Sequence, residues 1–113
     1  MSLEVNGKSI QTDNEGYLVD PDEWNEEIAT QLALGEEVEL TEQHWKVLGF
    51  MRDYYNERRI PADVRNVTKF IANELGCGKK DAKKRFFELF PFGHVQQCCK
   101  IAGMKRPRIW STG

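Results

Sequence analysis

The apolar positions fall into two regimes. Near the N-terminus they come in short runs broken by turns. Leu3-Glu-Val-Asn-Gly-Lys-Ser-Ile10 reads as a small hairpin, with Asn6-Gly7 as a type I′ turn because both residues tolerate positive φ. Asp13-Asn-Glu-Gly16 is a second turn, and Tyr17-Leu-Val19 is a short apolar segment after it. Strands this few do not stand alone, so they must lean on helices. From residue 20 onward the spacing becomes helical. Asp20 caps a helix with Pro21 at its first position and Glu23 completing a capping-box pattern; Trp24, Ile28 and Leu32 share one face, and Gly35 ends it. Thr41 caps a second helix that runs to about residue 58, with Trp45, Leu48, Met51 and Tyr55 on its apolar side. Ile60-Pro-Ala-Asp63 breaks the chain.

A third helix follows through Val64, Val67, Ile71 and Leu75 to Gly76, and a fourth from about Lys79 to Phe90 with Ala82, Phe86, Leu89 and Phe90 inward. Two helices across a Gly-containing turn, the second one basic, resemble a helix-turn-helix. His94 to Ala102 is a short last helix; Val95, Cys98, Cys99 and Ala102 fit one inward face, and Gly103 suits its C-terminus. The stretch from Met104 to Gly113 has no period and no cap. The expected fold is therefore mainly α: a small orthogonal helical bundle with an N-terminal β-hairpin, a helix-turn-helix-like pair and a flexible C-terminal arm. The domain is expected over 1–103 and the arm over 104–113.

Composition narrows the class. A chain of 113 residues at 40% hydrophobic fits one compact domain with a modest core that needs no metal or disulfide staple. No apolar run approaches the roughly 18 residues of a membrane span, and no signal peptide is visible. Three cysteines make an odd count without a disulfide framework, which points to a reducing cytoplasm. The net charge of -2 hides an asymmetry: residues 1–57 hold three basic against fourteen acidic residues, net -11, and residues 58–113 hold thirteen basic against four acidic, net +9. The two halves can attract each other within the fold, or a basic face can meet an acidic protein or a nucleic acid.

Candidate chemistry is sparse. No Ser-His-Asp order, Gly-rich phosphate loop, CxxC pair or metal spacing is present, so neither a cofactor nor a metal is expected. His44 has no partner at metal spacing and reads as structural or solvated, and Cys77, in a turn, as incidental. On a regular helix the side chains of Cys98 and Cys99 point about 100° apart, so they are poorly placed to bond each other. Either both are small core residues, or one packs while the other is exposed. Lys100, Lys105, Arg106 and Arg108 lie near enough in sequence to stabilise a thiolate, the nucleophilic form. Lys79, Lys80, Lys83, Lys84 and Arg85 could contact DNA phosphates, which gives affinity without sequence reading.

Leu40-Thr-Glu-Gln-His-Trp45, Arg52-Asp-Tyr-Tyr55, Pro61 to Arg65 with Thr68-Lys69, Leu89-Phe-Pro-Phe-Gly93 and Cys99-Lys-Ile-Ala-Gly103 together resemble the DsrC/TusE family. Val5-Asn-Gly-Lys8 and Gly16-Tyr-Leu18 agree with it too, so the likeness covers nearly the whole chain. The resemblance implies a small helical domain with a mobile C-terminal arm and a sulfur carrier or sulfurtransferase component. Its partners would be sulfur-relay proteins (TusBCD/DsrEFH-like) or sulfite reductase. The family's essential cysteine stands eleven residues after that of the Cys-Lys-Ile-Ala-Gly block. Counted from Cys99, that position is Trp110, so only the upstream thiol is matched. The family's usual Gly-Pro after Leu-Phe-Pro is Gly93-His94 here, and its Gly-Leu-Pro-Lys-Pro is Gly103-Met-Lys-Arg-Pro107. The resemblance thus implies a divergent carrier or partner-binding paralogue. Cys99 is its possible persulfide carrier, and Lys100, Lys105, Arg106, Arg108 and Trp110 are its partner-binding set. The alternative is a helix-turn-helix DNA-binding regulator of sulfur genes.

Overall fold

A computed structural model of the chain describes residues 2–106. Strands β1 (Ser2–Val5) and β2 (Lys8–Gln11) form an antiparallel hairpin with Leu3 opposite Ile10 and Val5 opposite Lys8. Asn6 and Gly7 take φ of 51° and 77°, the left-handed pair that a type I′ turn requires. Val5 and Ile10 turn inward while Glu4 and Ser9 face solvent. The hairpin thereby covers one edge of a helical core, as so small a sheet must.

Four longer helices follow: α1 (Glu26–Gly35), α2 (Glu42–Arg58), α3 (Val64–Leu75) and α4 (Lys79–Leu89). The expected helix from Asp20 to Gly35 is in fact two pieces. Asp20 caps only a 3-10 turn, Pro21–Glu23; Trp24 is extended, and Asn25 caps α1 by accepting the Ile28 N–H at 2.9 Å. A second capping side chain immediately ahead of the apolar periodic run restarts the helix there. The break frees Trp24 to reach across the molecule. Asp63 caps α3 through the Asn66 N–H, and α3 and α4 pack closely across the Gly76-Cys77-Gly78 turn.

The core draws Ile28 and Leu32 from α1, Val47, Leu48 and Met51 from α2, Val67 and Ile71 from α3, and Ala82 and Phe86 from α4. At its centre lies the last segment. It runs as a π-helix from His94 to Cys99, not as the regular helix that the 3–4 spacing predicts. Among the described residues no helix is long and apolar enough to cross a membrane.

Candidate functional site

The π-helical segment and the four residues after Lys100 form a closed block. Gly103, at φ 78°, ends it in a Schellman arrangement: Met104 N–H donates to Cys99 C=O at 2.9 Å and Gly103 N–H to Lys100 C=O at 3.0 Å. Gly103 also lies against Trp24, where an added Cβ would come within 2.3 Å of the indole. Side chains from three earlier elements then bind the block's carbonyls. Tyr17 O–H donates to Val95 C=O at 2.9 Å, Trp24 Nε1–H to Ile101 C=O at 2.9 Å, and Arg52 to Ala102 C=O at 3.1 Å and Pro21 C=O at 2.8 Å. The Arg52 guanidinium also sits 4.9 Å from the Trp24 ring centre and 5.7 Å from that of Tyr55. Carbonyls at a helix C-terminus have no partners within their own helix, so these donors satisfy what burial would otherwise leave bare.

This closure decides the fate of the thiols. Cys98 and Cys99 are both completely buried, and so are Ile101, Ala102 and Met104. Of the two readings of the paired cysteines, one exposed or both in the core, the structure has the second: the segment runs through the middle of the bundle, so both faces of it pack. Burial pushes the Cys99 thiol up to about 12, and burial, with Cys99 beside it, pushes Cys98 well above its ordinary value. Both are thiols at neutral pH.

The π winding has a second consequence. Backbone bonds that run from residue i to i+5 bring side chains five apart onto one side of the helix. His94 and Cys99 are five apart, and Cys99 Sγ lies 3.4 Å from His94 Nε2. The same Nε2 is 2.8 Å from the Ala62 carbonyl oxygen, which only accepts, so Nε2 carries the proton. His94 is 1% exposed, burial lowers its pKa from the usual histidine value, and its Nδ1 has no partner among the described residues.

Lys100 does not face the thiols. Its ammonium binds Glu36 at 2.8 Å, both side chains are nearly buried, and it lies 5.1 Å from the Tyr17 ring centre. The carboxylate at the end of α1 claims it. Lys105 is exposed, Arg106 pairs with Glu15 at 2.7 Å on the surface, and Arg108 and Trp110 lie outside the described residues. A cavity of about 450 Å³ lined by Tyr17, Phe92, Val95, Lys100, Glu15 and Arg106 opens where the chain leaves the core, and Phe92 beside it is 64% exposed. On α4, Lys79, Lys80, Lys83 and Lys84 are exposed, whereas Arg85 turns onto Gln43 at 2.6 Å and Glu88 at 3.3 Å.

The family described as DsrC like protein matches residues 4–109, nearly the whole chain. The chain belongs to the DsrC-like family. A sulfurtransferase TusE homolog of Haemophilus influenzae is 39% identical over 106 residues, which cover 93% of this DsrC-like chain and 95% of the relative. The sulfurtransferase TusE of Escherichia coli is 39% identical over 101 residues, 89% of this chain and 92% of that one. The oxidized gamma-subunit of the dissimilatory sulfite reductase (DsrC) from Archaeoglobus fulgidus superposes with a TM-score of 0.87 at 34% identity, covering 98% of this chain and 100% of that chain. DsrC of Allochromatium vinosum superposes at 0.82 with 37% identity and the same coverage. None of these four is described as a DNA-binding protein.

Sequence reasoning points to Cys99 and Lys100 but gives no role to the groups that hold them: Tyr17 stands only within a short apolar segment and a family block, Arg52 only within a family block, Trp24 only on an apolar face, and Glu36 only in an acidic link. His94 stood out only as a departure from the family's Gly-Pro.

Proposed function

We propose that this DsrC-like chain works in sulfur relay as a divergent carrier, docking on sulfur-relay proteins or on sulfite reductase and using Cys99 as its sulfur-bearing thiol. The observation that carries this reading is the likeness to TusE and DsrC over nearly the full chain, with the Cys99-Lys-Ile-Ala-Gly103 block intact. Trp110 stands where a second thiol belongs, so sulfur held on Cys99 has no in-chain cysteine at that position to pass to. The transfer is an exchange without net oxidation. Cys99 loses its proton and attacks the outer sulfur of a donor persulfide, R–S–S–H. The donor's S–S bond breaks as the Cys99–sulfur bond forms, and the departing R–S⁻ takes up a proton. Because Cys99 is buried, this requires the block to open, and partner docking beside Phe92, Lys105 and Arg106 is the event that opens it.

Intact mass after incubation with a persulfide donor tests this. The expected result is a gain of about 32 Da, one sulfur, retained in Cys77→Ser and lost in Cys99→Ser. An adduct that survives Cys99→Ser removes the role of Cys99. Complex formation with a relay protein and no adduct on any thiol would make the chain a partner-binding adaptor instead.

A further inference from the structure

The two buried cysteines are neighbours in sequence, equally hidden, and carried by one segment. Among the described residues only Cys99 has a polar side chain within hydrogen-bond distance of its sulfur. The Ala62 carbonyl fixes the single proton on His94 Nε2 and takes it in the closed block, so the N–H that lies 3.4 Å from Cys99 Sγ reaches sulfur only by being shared with Ala62, or by leaving it as the block opens and the sulfur becomes negative. A donor at that place favours negative sulfur, because hydrogen bonding to a charged form stabilises it. Nδ1, at the other side of the ring, is buried without a partner among the described residues, an arrangement that costs free energy and so asks for an explanation. His94 also forms part of the wall of a recess of about 500 Å³ bounded by Tyr54, Pro61, Asp63 and Val95, so the ring stands between that recess and the thiol. The charged or titratable groups that face the pair are Asp63 toward His94, and Tyr17 and Cys98 toward Cys99.

We propose that His94 is the positioning residue of the sulfur site, donating from Nε2 to an anionic sulfur on Cys99, as thiolate or persulfide, and so selecting Cys99 over Cys98 when the block opens. The selection rests on the reading of Cys99 as the sulfur-bearing thiol but is measured without any sulfur donor. A single neutral donor to a charged sulfur gives about a tenfold preference.

The experiment uses the full chain in two backgrounds, Cys77→Ser with Cys98→Ala and Cys77→Ser with Cys99→Ala, so that one buried thiol remains in each. Iodoacetamide modification is followed by intact mass from pH 6 to 10. The two backgrounds open to different extents, so each rate is divided by the opening equilibrium of its own background, read from backbone hydrogen exchange, before the ratio is taken. The ratio of Cys99 to Cys98 is expected near tenfold, with the Cys99 profile rising at lower pH. His94→Phe, which keeps a ring but no donor, brings the ratio to about one and moves the Cys99 profile up to that of Cys98. His94→Gln, whose amide N–H is a donor, restores the preference. A ratio near one in the His94 background, or a preference that survives His94→Phe in protein that still unfolds cooperatively, overturns the proposal. If the ratio behaves as expected while no sulfur adduct forms, the relay role fails and the assignment of His94 stands. An adduct on Cys99 without any selectivity fails the assignment alone.

Discussion

His44 at the start of α2 and His94 at the start of the π-helical segment do the same structural task. Both are buried, both stay neutral because burial lowers their pKa, and both hold a carbonyl of another element from Nε2: Leu89 at 2.7 Å and Ala62 at 2.8 Å. They differ at the other nitrogen. His44 Nδ1 accepts from the Thr41 N–H at 3.0 Å and lies 2.8 Å from its hydroxyl. That closes the capping box of α2 around a histidine. His94 Nδ1 has no partner among the described residues, and a thiol lies against its Nε2. A histidine with every group satisfied is a peg between α2 and α4. One left half-satisfied beside a sulfur marks a place kept for chemistry. The lesson is that burial alone does not separate a structural histidine from a functional one, whereas a count of hydrogen-bond partners does.

The contrast can be broken most forcefully by removing the block that holds His94. Gly103→Ala places a Cβ within 2.3 Å of Trp24 and asks a left-handed backbone of alanine. A loss of about 3 kcal/mol or more is expected in denaturant unfolding. A loss under about 1 kcal/mol would mean that Trp24 does not hold the block as described.

Next in size is the pair of phenylalanine substitutions. His44→Phe leaves the Leu89 carbonyl and the Thr41 N–H without their partners and should cost about 2–3 kcal/mol. His94→Phe leaves only the Ala62 carbonyl and removes the unpartnered nitrogen, so it should cost about 1 kcal/mol. Equal losses in thermal or denaturant melts would erase the distinction.

Acid sharpens the comparison. Each histidine has a folded-state pKa below its unfolded value of about 6.5. Above that pH neither state binds the proton, and stability is flat. As pH falls below it the unfolded chain takes up protons first, so stability drops. His44→Phe and His94→Phe should each flatten the decline between about pH 6.5 and 5. A parent whose stability is constant through that window would contradict the burial of both rings. The smallest effect is expected at the exposed Lys46–Glu74 pair, 3.5 Å apart, where Glu74→Gln should change stability by no more than about 0.5 kcal/mol. A larger change there would mean that the pair is not the solvent-screened contact that its exposure implies.

Much of the fold was legible in the residues. Asn6-Gly7, Thr41 and Gly76 are local signals whose physics does not depend on the rest of the chain, and each acts where the sequence places it; Asp63, read only as part of a break, is the cap of α3. The split of the first helix was not read correctly, although Asn25 was the signal that could have shown it. The candidate site was legible at Cys99 and Lys100 through likeness to relatives, but their surroundings were not. Lys100 seemed free for a thiolate or a partner because Glu36 lies far away in sequence, and His94 drew no chemistry because its partners, Ala62 and Cys99, meet it only through folding and through the π turn.

What the sequence determined by itself, then, was the set of elements and the family, since caps, turns and apolar periods act over a few residues and the family blocks are strings of residues. The tertiary structure alone decided which groups are buried and which donors meet which acceptors. A π winding between His94 and Cys99 changes the angular position of every side chain after it, and the carbonyls of 95, 101 and 102 find Tyr17, Trp24 and Arg52 only once the segment after the hairpin, the extended residue after the 3-10 turn and α2 have closed around them. Burial and hydrogen-bond partnership are properties of that closure, and they are what turn two adjacent cysteines into one thiol with a donor and one without.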